Sequence, residues 1–319
     1  MRRTPSPTLM RTLALSPGRD PGAFLALTNG NGPEEGPSTE WQVAMTASRH
    51  QTDPTVDVRW IAVHAGDPSV QFVEVDVSRA AYDQGHIPGA LFWDAYVDLR
   101  DPAYRPVPPQ ELQRLFSRSG ISPDTTVVLY GYAAALGFWL MQAHGHRDVR
   151  VLRGSRDQWV EAGERWTTDV PEPAASTYPL PKPDHEVLAS RQALEAAIGQ
   201  AGEVILDVRS EPEYRGERFW PSGAAADAGR AGHVPGAVSV PIDRLREESG
   251  APKVAAEQRR AFEAAGVTKD KAVITYCTIG NRAAEAWFAL RYELGYPNVR
   301  VYYDSWAVWG KLADTPIAA

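Results

Sequence analysis

Hydrophobic and polar positions fall into two alternating textures along this chain. Short β-branched, apolar runs recur at Phe72-Val-Glu-Val-Asp-Val77, Thr126-Val-Val-Leu-Tyr130, Val204-Ile-Leu-Asp-Val-Arg209 and Ala272-Val-Ile-Thr-Tyr276. Runs of this kind predict strands buried on both faces. The stretches 134–144 and 282–294, each placed after such a run, read as helices instead. Strands alternating with helical stretches predict an α/β fold with parallel sheets.

The pattern is written twice. Gly85-His-Ile-Pro-Gly-Ala90 answers Gly232-His-Val-Pro-Gly-Ala237, and Gly145-His-Arg-Asp-Val-Arg-Val-Leu152 answers Gly295-Tyr-Pro-Asn-Val-Arg-Val-Tyr302. Ser155 and Trp159 close the first copy as Ser305 and Trp309 close the second. Landmarks repeated in the same order predict two copies of one domain. Between them, residues 171–183 hold Pro171, Pro173, Pro179, Pro181 and Pro183, which predicts an extended, semi-rigid connector. The expected boundaries are a first domain at 52–170, the connector at 171–183 and a second domain at 184–316. Residues 1–51, rich in Pro, Gly, Ser and Thr, are expected to be a disordered tail. Arg2-Arg3 followed by an apolar run resembles the start of an export signal, but Arg11 interrupts the run. Order beginning just after Met45 raises the alternative that translation starts there.

Composition narrows the function classes. The net charge of −7 argues against a general nucleic-acid binder. No window approaches the ~18 apolar residues of a membrane-spanning helix. The single cysteine, Cys277, rules out an intramolecular disulfide framework and a cysteine-based zinc site, and suits a reducing cytoplasm.

The repeated signatures read mainly as architecture. Glycines permit tight turns and proline fixes φ in both Gly-His-x-Pro-Gly-Ala segments. His86 and His233 are expected to bond backbone within those turns, since the same histidine stands in a copy without a nucleophile. Asp76 and Asp207 follow apolar strands, and Asp207 with Arg209 reads as a charge pair bracing the edge of a site. Ser155, Trp159, Trp306 and Trp309 read as capping and packing residues.

The copies differ where chemistry is expected. The first reads Tyr130-Gly-Tyr-Ala-Ala-Ala135, the second Tyr276-Cys-Thr-Ile-Gly-Asn-Arg282. Cys277 thus sits between a strand and a helix, where ligands and chemistry gather in open α/β sheets. Backbone N–H groups of such a loop, and the helix N-terminus behind it, favour a thiolate over a thiol. Gly280 allows the loop to turn, and Arg282 places a cation at its end. The spacing Cys-x4-Arg closes a six-residue loop. Cell-cycle phosphatases use Cys-x5-Arg, a larger cradle suited to a phosphoryl group.

The duplicated Gly-His-Ile/Val-Pro-Gly-Ala, the strand–Cys-loop–helix and the terminal Ser-Trp-x-x-Trp resemble the tandem-domain rhodaneses over about residues 52–316. The resemblance implies two rhodanese-like domains, the first having lost its cysteine, with Ala133–Ala135 standing where Cys277 and its neighbours stand. The loop is most similar to thiosulfate sulfurtransferases of the actinobacterial type, although Thr278 occupies a place often held by a basic residue. It lacks the Cys-Gly-Ser-Gly-Val-Thr of the mercaptopyruvate branch. The resemblance implies transfer of sulfane sulfur from thiosulfate to cyanide or a thiol through a persulfide on Cys277, without metal or organic cofactor. Donor binding would fall to Arg282, Arg209, Thr278, Ile279, Gly280 and Asn281, with Arg215 or Arg218 as alternative cations. The alternatives are a 3-mercaptopyruvate sulfurtransferase and a carrier handing persulfide sulfur to a protein, such as a thioredoxin-like partner. Phe138 and the altered first-domain loop are expected to wall one side of the pocket.

Overall fold

The computed structural model describes residues 54–154, 156–221, 229–248 and 250–319, so the expectations for the tail, for Met45 and for Ser155 lie outside the described residues. The first half carries strands β1 (Thr55–Val56), β2 (Val70–Asp76), β3 (Leu91–Asp94), β4 (Thr126–Tyr130) and β5 (Val149–Leu152). The second carries β6 (Glu203–Asp207), β7 (Val238–Ser239), β8 (Ala272–Tyr276) and β9 (Val299–Val301). They form two sheets, ordered β1-β5-β4-β2-β3 and β7-β6-β8-β9, with every named strand pair parallel. Helices flank both, as the alternating texture predicts.

The period of two along each strand divides the core. Phe72, Val128 and Tyr130 face one side of the first sheet, while Val73, Val127 and Leu129 face the other. In the second sheet Ile205, Ile274 and Tyr276 face one side, and Val204, Leu206 and Val273 the other. The inner sides of both sheets share one continuous apolar core. It runs between helix Ala134–Ala143, after β4, and helix Asn281–Phe288, after β8, which ends in a π turn at Ala289–Glu293.

Phe138 belongs to this seam rather than to a pocket wall. It is fully buried, with its ring edge-on to Phe288 at 5.1 Å and to Tyr292 at 5.3 Å. Helix Ala134–Ala143 is apolar almost all round, so it is covered on every side.

The proline-rich segment has neither helix nor strand and lies against the first half. Tyr178 is buried edge-on to Phe116, and its hydroxyl lies 3.0 Å from His146 Nδ1. His144 Nδ1 meets the Pro181 carbonyl at 2.7 Å, and the Asp184 amide donates to the Ala143 carbonyl.

Strand register corrects two alignments. Glu74 pairs with Tyr130 as Asp207 pairs with Tyr276. The counterpart of Asp207 is therefore Glu74, and Asp76 corresponds to Arg209. The residue after Tyr130 is Gly131, so Gly131, not Ala133–Ala135, takes the place of Cys277. The buried acids keep a guanidinium partner in both halves, delivered differently. Asp207 is met by Arg209 from its own strand, whereas Glu74 lies 3.7 Å from Arg156, whose counterpart is Trp306.

The histidines act as architecture. His86 Nδ1 meets the Tyr82 carbonyl at 2.9 Å, and His233 Nδ1 meets that of Tyr214 at 2.9 Å. Each imidazole stacks on the same tyrosine.

Candidate active site

Cys277 follows β8 directly and is only 1 % exposed. Three consecutive carbonyls of the loop are bonded outward. The Cys277 carbonyl accepts from the Trp306 amide at 3.0 Å, and the Thr278 carbonyl from the Ala307 amide at 2.8 Å. The Ile279 carbonyl accepts from Arg100 Nη2, a residue of the first half. A trans peptide points its N–H opposite to its carbonyl, so carbonyls held outward turn the following amides inward. The Gly280 amide donates to Cys277 Sγ at 3.1 Å. Backbone amides turned inward in this way make a concavity suited to an anion.

Two residues carry the backbone conformation this requires. Gly280 has φ +94°, and a Cβ there would stand 2.6 Å from Arg100 Nη2 and 2.8 Å from the Tyr303 ring. Ser305 is buried with φ +55°, uncommon for a residue with a side chain. Its hydroxyl accepts from the Cys277 amide at 3.3 Å and donates to the Tyr302 carbonyl at 3.0 Å. Strain of this kind gathers where a site demands it.

Arg282 does not stand free at the end of the loop. Its Nη1 donates to Glu213 Oε2 at 2.9 Å and its Nη2 to Glu213 Oε1 at 3.0 Å, a two-pronged pair with 13 % of the arginine side chain exposed. Arg282 Nη2 also donates to Thr278 Oγ1, and that hydroxyl donates to Glu213 Oε1, each at 2.5 Å. Ser210 completes the carboxylate's shell at 2.7 Å. Burial works to raise the Glu213 pKa, but the bonds from Arg282, Thr278 and Ser210 prevail and hold it at about 2. Burial likewise opposes the charge on Arg282, and Glu213 more than offsets it, raising the guanidinium pKa.

The other anticipated residues divide. Thr278, Ile279, Gly280 and Asn281 line the loop and its helix start, with Asn281 Oδ1 buried and without a hydrogen-bond partner. Arg209 is not brought to the loop mouth. It is fully buried, bonded to Asp207 at 2.7 Å and to the Gly232 carbonyl at 2.6 Å, with its guanidinium 4.4 Å from the Trp306 ring centre. Arg215 and Arg218 are exposed, engaged by Glu211 and by the Pro221 carbonyl. The first half contributes Tyr132, 49 % exposed, and Tyr96, both within electrostatic reach of Cys277 and Arg282. Arg246, paired with Glu285, lies 5.5 Å from the Tyr132 ring centre.

The sequence marks Ser305 as a closing landmark but not as a partner of the Cys277 amide, and it singles out neither Glu213 nor Arg100. Tyr214 repeats Tyr82 ahead of the two Gly-His segments, and a glutamate beside that tyrosine is the available signal for Glu213. Arg100 had none, because its partner lies 179 positions away.

A family model described as rhodanese-like domain matches residues 57–162 and 190–312. The sulfur carrier protein TtuD of Thermus thermophilus is 42% identical over 272 residues, covering 82% of this chain and 95% of that protein. A Haloferax volcanii protein provisionally named a thiosulfate sulfurtransferase is 36% identical, covering 86% of this chain and 99% of its own length. Among solved structures, the anaerobic ergothioneine biosynthesis enzyme of Chlorobium limicola superposes with a TM-score of 0.74 at 26% identity, covering 85% of this chain and 71% of that one. EanB captured with a cysteine persulfide and ergothioneine superposes at 0.75 with 25% identity, over 85% of this chain and 71% of that one. No helix among the described residues is long and apolar enough to cross a membrane.

Proposed function

The chain belongs to the rhodanese-like domain family, as a tandem-domain sulfurtransferase, and from that premise we propose that it moves sulfane sulfur from thiosulfate to a thiophilic acceptor through a persulfide on Cys277. The observation that carries this reading is the Gly280 amide donating to a buried Sγ inside a loop whose carbonyls are turned away. Such a cradle suits a sulfur that bears charge after transfer.

The step balances without a redox partner. Cys277 thiolate attacks the outer sulfur of thiosulfate, an S–S bond forms, and the bond to the sulfonate sulfur breaks. Its electron pair leaves with sulfite, and the carried sulfur keeps one negative charge. Cyanide or a thiolate then attacks that outer sulfur, and thiocyanate or a new persulfide departs while Cys277 is restored. This is covalent catalysis in two half-reactions. The loop amides meet charge at the transferred sulfur as an oxyanion hole meets it at oxygen. Arg282 acts in this scheme with Glu213: together they fix Thr278 and the loop's end, and the exposed edge of the guanidinium meets the departing sulfite.

Thiosulfate and cyanide with wild type against Cys277→Ser, read by thiocyanate release, tests the scheme. Activity surviving in the serine variant overturns the role of Cys277. Turnover of 3-mercaptopyruvate alone reassigns the donor. The likeness to a sulfur carrier at 42% identity supports a second reading, in which the acceptor is a protein. Failure of both small donors, with Cys277 charged by a persulfide-bearing protein, selects it.

A further inference from the structure

We infer that Arg100, contributed by the half that has no cysteine, is a positioning residue for sulfur transfer: it orients the Ile279–Gly280 peptide toward Cys277 and supplies the positive charge that an anionic sulfur there requires. The inference rests on the reading of Cys277 as the sulfur carrier.

The first argument is geometric. The carbonyls of Cys277 and Thr278 are held by amides of helix Ser305–Trp309, within their own half. The third outward carbonyl, that of Ile279, has no such support. Arg100 Nη2 donates to it and, at 2.8 Å, to the Tyr303 carbonyl, while Nη1 reaches the Tyr104 carbonyl at 3.2 Å. The Ile279 carbonyl and the Gly280 amide are two ends of one rigid peptide. A donor fixed on the first aims the second, and the second is the amide that touches Sγ. With φ at +94°, Gly280 has no side chain to resist rotation of this peptide. A peptide turned over would present its oxygen to the sulfur.

The second argument is electrostatic. Among the described residues, Arg209, Arg246 and Arg282 each make an ion pair with a carboxylate, and Arg100 makes none. Arg100 is nevertheless buried, its guanidinium carbon lies over the Tyr303 ring at 3.6 Å from its centre, and its Nε has no hydrogen-bond partner. Burying an unpaired cation is costly, and burial presses the Arg100 pKa down. Cys277 is among the groups whose charge works against that pressure, beside Tyr303, Asp304 and Asp101. A guanidinium without a carboxylate is matched to a site whose anion arrives with the chemistry.

The test compares full-length wild type with Arg100→Met, Arg100→Lys and Arg153→Gln. Arg153 pairs with Glu293 at 2.8 Å across the same seam, twelve residues beyond Asn281 and about 18 Å from the loop by helical rise. Single-turnover charging of Cys277 by thiosulfate is followed by the mass gain of one sulfur atom, against donor concentration. Loss of a charge-assisted bond predicts that Arg100→Met lowers the limiting rate about ten- to hundredfold, with half-saturation moving less than about threefold. Arg100→Lys, keeping charge but not the planar fork, falls between, and Arg153→Gln matches wild type. Should Arg100→Met not fold, the Lys variant decides by the same split between rate and half-saturation. Charging of Arg100→Met within about twofold of wild type overturns the inference, as does an Arg153→Gln defect equal to it, which would mean general loosening. A wild-type chain that accepts no sulfur on Cys277 overturns the carrier reading and this inference with it.

Discussion

Replacing Glu213 with glutamine tests the network behind the loop most directly. The carboxyl is fully buried and titrates at about 2 in the fold, against 4.5 for an unperturbed glutamate. A carboxyl whose pKa is depressed on folding binds fewer protons in the folded state, so it stabilises the fold above its unfolded value. That stability is lost as pH falls through the folded value. The shift corresponds to about 3 kcal/mol at neutral pH, of which about 1.4 kcal/mol remains at pH 3. Glu213→Gln also leaves Arg282 buried without its partner, a loss of about 3–5 kcal/mol. Urea unfolding of wild type and variant between pH 7 and pH 2.5 reads both effects. The expected result is a gap of about 3–5 kcal/mol at pH 7 that narrows steadily below pH 4.5 as the wild-type carboxylate takes up its proton. Other carboxylates contribute equally to both curves and cancel in the difference. Parallel curves over the whole range, or a gap below about 1 kcal/mol at pH 7, refute the account of Glu213 as the anion that holds Arg282 and Thr278.

Three further outcomes follow from particular contacts. Gly280→Ala places a Cβ into Arg100 and Tyr303 at a positive φ, and a fall of at least about hundredfold in thiocyanate release is expected, with far-UV circular dichroism unchanged. Arg209→Met breaks the buried pair with Asp207 and lowers unfolding stability by about 3–5 kcal/mol. Half-saturation for thiosulfate in the folded variant should stay within about threefold of wild type, and a larger rise would restore Arg209 to the donor site. Phe138→Ala removes a ring from the seam between the halves and costs about 3–5 kcal/mol in chemical denaturation. A smaller loss would mean that the seam collapses onto the gap.

The sequence made the architecture legible because strand and helix textures are local and the chain repeats them. Cys277 stands out in the sequence for the same reason: comparison of two copies isolates what only one possesses. Roles that depend on a partner distant in sequence were not. Arg282 reads as a free cation until Glu213 is seen to grip it, and Arg209 reads as a donor ligand until burial against Trp306 removes it from the loop mouth. Asp76 and Asp207 both read as acids after apolar strands, and only strand register shows that Glu74 takes the place of Asp207. Phe138 looked like pocket lining because a helix apolar all round does not announce which side meets the other half. Arg100 is a lone arginine between loops, and nothing nearby hints at the carbonyl it holds.

The register that sets Gly131 against Cys277 also bears on whether the first half could hold a cysteine in the same setting. A cysteine at Gly131 would need φ near +97° and would put its Cβ 2.8 Å from the Val75 carbonyl. The helix after Tyr130 begins at Ala134, one residue sooner than Asn281 follows Tyr276, so the turn is too short to repeat the same ring of amides. The guanidinium that meets Glu74 comes from Arg156, where the other half places Trp306 to cap its loop. Setting a cysteine in the first half within the same ring of amides would demand an insertion and several coordinated replacements. The two halves, alike in fold, thus differ at this turn in backbone as well as in side chain.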